Sequence, residues 1–266
     1  MSFFKKRKIA LALGGGAARG LANIGVIKVF QREGIPIDLV VGSSIGAMLA
    51  AGYCLGIPTY RIEKTALECT TSKLTDVSVS RKGFLKGKKL EKLICSFIEG
   101  RTFSDAKIPL AVTTTDIETG EEIVYTKGNL EKILVASSSW PGIFPAVEID
   151  GRKLVDGGIR NSIPVKNALD LGATFTIAVH IGFCVKTTKL DNPFQLFIQS
   201  IQILGEELDR YQTMRADVII KPALVDLDQF AFDRGAEAIS DGERAAEKAL
   251  PEIKKKLGLK GKDPWK

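Results

Sequence analysis

Histidine is almost missing from this sequence: His180 is the only one in 266 residues. The four cysteines (Cys54, Cys69, Cys95 and Cys184) stand far apart with no Cys-x-x-Cys pair. Together these shortages argue against a zinc site and against a disulfide framework, and they suit free thiols in a reducing compartment. No apolar run approaches the roughly 18 residues that a membrane-spanning helix needs. The N-terminus, MSFFKKRKIALALGGG, has the basic start of a signal peptide, but its apolar run Ile9–Leu13 is too short and opens into glycines rather than a cleavage site. A cytoplasmic protein is the expectation. Aromatic residues make up only 7% and do not interleave with basic ones, so no nucleic-acid partner is expected.

What is present is an ordinary globular composition, 45% hydrophobic and 26% charged, with a net charge of +7. The charge is concentrated. Residues 1–8, 73–92 and 254–266 together carry about +14, which leaves about −7 for the rest. The middle basic segment also holds Val77, Val79, Phe84 and Leu85, so it suits peripheral contact with an anionic membrane surface. The bland alternative is a solvated loop and a solvated tail.

Short apolar runs alternate with longer segments of helical period. Strands are expected at Ile9–Leu13, Asp38–Val41, Leu110–Asp116, Glu121–Thr126, Phe144–Ile149, Lys153–Val155, Thr174–Ile181 and Val218–Ile220. Helices are expected near Leu21–Glu33, Ile45–Leu55, Pro58–Cys69, Lys88–Ile98, Leu130–Ser138, Pro164–Leu171 and Phe194–Tyr211, with a last one over Asp233–Leu257 broken near Pro251. Strand–helix alternation implies an α/β fold, with a mainly parallel central sheet covered by helices on both faces. No repeat or linker divides the chain, so one domain is expected.

Three loops carry chemistry. Gly42-Ser43-Ser44-Ile45-Gly46 is a Gly-x-Ser-x-Gly sequence between a strand and a helix. A nucleophile on so sharp a turn forces the flanking backbone together, and Gly42 and Gly46 have no side chain to obstruct it. Ser44 is the central residue. The second loop, Gly14-Gly15-Gly16-Ala17-Ala18-Arg19-Gly20, also joins a strand to a helix. It lacks the Gly-Lys-Ser/Thr of a P-loop, and Arg19 stands where a dinucleotide fingerprint needs glycine. Donors preorganised for the oxyanion of an acyl intermediate are the better reading, and a ligand-free glycine turn is the plain one. The third loop is Asp156-Gly157-Gly158. Its commoner use is a turn aspartate bonded to its own backbone, and its chemical use is a carboxylate free to approach another loop. The order Ser44, Asp156, His180 matches the triad order of α/β-hydrolases. His180, however, ends an apolar strand, where a core histidine is expected. The competing arrangement is a Ser44–Asp156 dyad, which needs burial or a hydrogen bond to make the carboxylate an effective base.

With these loops in view, the sequence resembles the patatin-like phospholipase family, and within it the compact bacterial members. The likeness runs from Ile9 to about Ala249 and includes LGGGAARG, GSSIGA and LVDGG, with TTTDIETGE, ASSSWPGIFPAV and IRNSIPVKNALDLGA between and after them. The resemblance implies a three-layer α/β/α sandwich, with one catalytic domain over residues 1–266 (core about 9–249) and basic termini flanking it. It also implies a Ser44–Asp156 dyad without histidine. The oxyanion hole would form at Gly14, Gly15 and Gly16, with Arg19 in the family's basic position. No metal or cofactor is implied, and the substrate would be an ester of a phospholipid or related acyl lipid. The commonest form of the first motif has glycine where Ala17 stands, which leaves open which amides form the hole. A weakly catalytic lipid- or partner-binding regulator on the same scaffold is the alternative. By position alone, the helices around Pro58–Ile98 are expected to line an acyl pocket or to form a lid.

Overall fold

The run Ile9-Ala-Leu-Ala-Leu13 is buried along its whole length because it lies inside a sheet covered on both faces. The computed structural model describes residues 7–70, 77–80, 83–182 and 193–259. Its first half contains β1 (Ile9–Leu13), α1 (Ala22–Glu33), β2 (Leu39–Ser43), α2 (Ile45–Cys54) and α3 (Thr59–Glu68). A short antiparallel pair, β3 (Val77–Ser80) and β4 (Gly83–Leu85), precedes α4 (Lys88–Ile98), β5 (Leu110–Asp116) and β6 (Glu122–Tyr125). Then come α5 (Leu130–Ser137), β7 (Val147–Ile149), β8 (Arg152–Asp156), α6 (Val165–Asp170) and β9 (Phe175–Val179). The last elements are α7 (Pro193–Thr213), β10 (Val218–Ile220) and α8 (Gly235–Leu257).

The main sheet has the order β10-β9-β1-β2-β5-β8-β7, with β6 also paired to β5. Strands β10, β9, β1, β2 and β5 are parallel; β6 and β8 pair antiparallel to β5, and β7 pairs antiparallel to β8. Alternation along β1 assigns the two layers. Leu11 and Leu13 join the large core with α1, α2 and α8, whereas Ala10 and Ala12 belong to the smaller clusters that include Ala168 and Val165 of α6. Large side chains on one face and alanines on the other let α6 pack close, which produces the expected α/β/α layering.

Helices α1 and α8 approach until backbone meets backbone. A Cβ on Gly242 would lie 1.9 Å from the Ala22 carbonyl oxygen, and one on Gly25 would lie 2.1 Å from that of Ile239. The expected break at Pro251 is absent, because α8 continues through it to a left-handed cap at Gly258. Beyond the proline, buried Ile253 and the Lys254–Glu33 ion pair at 2.7 Å hold the last turns in place. That packing outweighs the roughly 3 kcal/mol cost of an interior proline. Strand β7 begins at Val147 rather than Phe144. Pro145 cannot donate to a ladder, and Phe144 closes a turn onto the Trp140 carbonyl instead. Among the described residues, no helix is long and apolar enough to cross a membrane. Most of the segment 73–85, the extreme termini and Cys184 lie outside the described residues or have no described side chains.

Candidate functional site

Strand β5 brings the serine and the aspartate together. Ser43, at the end of β2, is registered with Thr113, and Asp156, at the end of β8, is registered with the next residue, Thr114. β2 runs parallel to β5 and β8 antiparallel to it, so the two strands end at neighbouring positions from opposite directions. β1 pairs Leu13 with Gly42 and so delivers the glycine loop to the same edge. This edge is the carboxyl end of the parallel strands, where open α/β sheets place their ligands.

The turn after β2 comes at Ser44, two residues later than the glycine expected to begin it. Ser44 has φ 55° and ψ −130°, a conformation that side chains rarely adopt and that costs about 1–3 kcal/mol. Its flanking glycines are required by contact. A Cβ on Gly42 would lie 2.6 Å from the Ala47 Cα, and one on Gly46 would lie 2.3 Å from the Leu13 carbonyl oxygen. The Ser44 amide donates to Ser137 Oγ at 2.9 Å. The Ser44 hydroxyl donates to Asp156 Oδ2 at 2.6 Å.

Asp156 is buried, and its other oxygen, Oδ1, accepts the Gly158 amide at 2.8 Å. Burial pushes its carboxyl up to about 7, and the bonds from Ser44 and Gly158 only partly offset that effect. Both readings of Asp-Gly-Gly therefore apply at once, since one oxygen makes the turn and the other meets the serine. His180 does not share this contact. It is buried at the end of β9, its nearest acid is Asp209 at 3.7 Å, and burial lowers its imidazole to about 4, which keeps it neutral.

The glycine loop differs in detail from the expected row of donors. The Gly15 amide donates to the Ser162 carbonyl at 3.1 Å and is not available to an oxyanion. Gly14 is wedged against the next strand, with the Val179 carbonyl oxygen 2.8 Å from where its Cβ would be. Arg19 is buried, and its guanidinium ties the loop to the carbonyls of Leu227 at 2.9 Å and Ile181 at 3.3 Å. Its own amide closes the turn onto Gly16. Arg19 thus braces the loop from behind. The amides of Gly16 and Ala17 donate to no acceptor among the described residues. Ala17 has φ 47°, the left-handed region that glycine enters freely, which accounts for the commoner glycine at this position.

Ser44 also lies on the wall of a mostly apolar cavity of about 120 Å³. Ile45, Met48 and Leu49 of α2 form one side; Ile62 and Ala66 of α3 with Leu90, Leu93 and Phe97 of α4 form the other. Of the two expectations for the helices around Pro58–Ile98, a pocket wall or a lid, α3 and α4 meet the first at this cavity. Ser138 Oγ is buried without a partner beside it. A hydroxyl bonded to a carboxylate that titrates near neutrality, facing an apolar recess, has the chemistry that a nucleophile and its base require, and the recess has room for a hydrocarbon arm. Among the described residues, no group of histidine, cysteine, aspartate and glutamate is placed to hold a metal ion.

Sequence reasoning missed Ser137, Ser162, Asn23 and Asp209. Asp209 had a readable signal, because Gln202, Asp209 and Thr213 form a polar stripe at helical spacing on α7, and all three are buried.

The chain is similar in sequence and in fold to known proteins. An uncharacterised NTE family protein of Mycobacterium tuberculosis is 32% identical over 181 residues, covering 66% of this chain and 49% of its own. Neuropathy target esterase sws of Drosophila melanogaster is 34% identical over 182 residues, covering 65% of this chain and 13% of its own. This chain therefore spans about half the length of the mycobacterial relative and a small part of the insect one. VipD of Legionella pneumophila shares the fold, with a TM-score of 0.62 at 15% identity over 94% of this chain and 67% of its own. ExoU of Pseudomonas aeruginosa, solved with SpcU, does so at 0.52 and 14% identity over 95% of this chain and 53% of its own. The patatin-like phospholipase family itself matches residues 11–169, which hold the glycine loop, the Ser44 turn and the Asp156 loop, and the chain belongs to that family.

Proposed function

We propose that the chain is a serine-dependent lipid acyl hydrolase that cleaves carboxylic esters of phospholipids or related acyl lipids through Ser44 and Asp156. The 2.6 Å bond between Ser44 Oγ and Asp156 Oδ2, beside the apolar cavity, carries this reading. The acyl chain enters between α2, α3 and α4. Asp156 takes the hydroxyl proton as Ser44 Oγ attacks the ester carbonyl carbon. The negative charge that forms on the carbonyl oxygen is met by the Gly16 and Ala17 amides and by the N-terminal end of α2. Collapse of the tetrahedral intermediate expels the alcohol, which leaves with the proton from Asp156. Water, deprotonated by the same carboxylate, then releases the fatty acid from Ser44.

The family match and the similarity to a named esterase support this reading. Its place of action is the cytoplasm, at or near a membrane surface that supplies the substrate. A fluorophosphonate probe is expected to label the wild-type protein and leave Ser44→Ala unlabelled, while His180→Ala retains turnover. Equal labelling of wild type and Ser44→Ala would remove Ser44 as nucleophile. A folded but inactive His180→Ala would restore the triad.

A further inference from the structure

The glycine loop owes its conformation to a residue far from it in sequence. Glycines do not hold a backbone conformation by themselves, so their peptides must be pinned from outside. The peptide between Gly14 and Gly15 is held at both of its polar ends. Its carbonyl accepts from Asn23 Nδ2 at 3.0 Å, and its N–H donates to the Ser162 carbonyl at 3.1 Å. Asn23 is anchored on α1, but Ser162 lies in the loop that follows Asp156-Gly157-Gly158 and needs an anchor of its own. That anchor is Asp209 on α7. Its buried carboxylate accepts the Ser162 hydroxyl. Gln212 grips the same loop twice, accepting the Ile163 amide and donating to the Arg160 carbonyl, each at 3.2 Å.

We propose that Asp209 is a positioning residue: by holding Ser162 it fixes the Gly14–Gly15 peptide and so sets the Gly16 and Ala17 amides against Ser44. A buried acid is costly unless it is hydrogen-bonded, and this one takes its bond from Ser162, with His180 farther away at 3.7 Å. The arrangement also joins the two halves of the site, since the segment that carries Asp156 supports the loop opposite it.

The inference rests on the hydrolase reading for its kinetic consequence, and the test separates the two. Full-length Asp209→Ala, Asp209→Asn and Ser162→Ala are compared with wild type by thermal melting, by turnover of p-nitrophenyl butyrate, and by hydrogen–deuterium exchange of peptides covering residues 13–20. Asp209→Ala and Ser162→Ala are expected to lose about tenfold or more in kcat with KM within about twofold, as befits donors used in the transition state. Combining them costs no more than either alone. Asp209→Asn still accepts the Ser162 hydroxyl and keeps kcat within about threefold of wild type. Exchange rises in residues 13–20 but not in peptides from α2. If Asp209→Ala does not fold, Ser162→Ala decides. Wild-type kcat in a folded Asp209→Ala or Ser162→Ala, or a fall in kcat with unchanged loop exchange, overturns the proposal. Should the wild type cleave no ester, the hydrolase reading fails, and loop exchange alone upholds or rejects the anchor.

Discussion

Replacing Asp156 with asparagine should make the protein more stable and inactive at once, and the size of the gain should depend on pH. The Asp156 carboxyl titrates near 7 in the folded protein because it is buried, against 3.8 for an unperturbed aspartate. A folded-state value raised in this way favours the protonated form. The protein then keeps its full stability below about pH 4 and loses it as pH rises toward 7, by about 1.4 kcal/mol per unit. The stability lost through this group is therefore about 4 kcal/mol at pH 8, where the buried carboxyl is ionised, and less than half of that at pH 5, where it is still protonated. Asparagine is nearly isosteric. Its oxygen can accept the Gly158 amide and its NH₂ can donate to Ser44 Oγ, so both contacts at this position survive in altered form. It carries no charge to bury. Relative to wild type, the variant should gain about 2–3 kcal/mol between pH 5 and pH 8, which widens the difference in melting temperature by about 5–10 °C. Asp209 also titrates near 7, but it is present in both proteins and cancels from the comparison. The assay is thermal denaturation of both proteins at the two pH values and one ionic strength, with ester turnover measured alongside. A melting difference that stays constant between pH 5 and pH 8 would refute the account of Asp156 as a buried carboxyl raised by desolvation.

The same value sets the activity profile. kcat/KM should climb with pH as Asp156 ionises, reach half its maximum near pH 7 and level off above it; a half-maximum near pH 4 in initial-rate measurements would contradict the burial effect. Ala66→Phe should fill part of the cavity between α2, α3 and α4 and lower kcat/KM for long acyl esters about tenfold or more, leaving butyrate esters little changed. Equal loss on both chain lengths would separate this cavity from acyl binding. Gly242→Ala forces a methyl group against the Ala22 carbonyl and should destabilise the fold by about 3 kcal/mol, read as a lowered denaturant midpoint. A variant with the wild-type midpoint would show that α1 and α8 can move apart freely.

Much of this molecule was legible one segment at a time. Strands such as Ile9–Leu13 and Leu110–Asp116 are short apolar runs between turn signals, and their period and length identify them without reference to anything else. Gly42 and Gly46 announce a tight turn around Ser44, because no other residue fits so close to the Ala47 Cα and the Leu13 carbonyl. Resemblance to a family carried the pairing of Ser44 with Asp156, which lie 112 positions apart. Local pattern could not supply that pairing, since it depends on two strands being registered against adjacent residues of β5. Other features arose only from packing. Pro251 was expected to break the last helix on local grounds, yet the helix continues through it, with Ile253 buried and Lys254 paired to Glu33 near the other end of the chain. Arg19 reads as a cation beside an anion site, but folding buries it and turns it toward the Leu227 and Ile181 carbonyls. Gly15 reads as a free donor, but Ser162 takes its amide. Sequence determines where the chain bends and which side chains carry chemistry, because those properties belong to the residue and its immediate neighbours. Which donors stay free and how readily a carboxyl holds its proton are decided by the tertiary structure, because both depend on what distant segments bring to the same few ångströms of space.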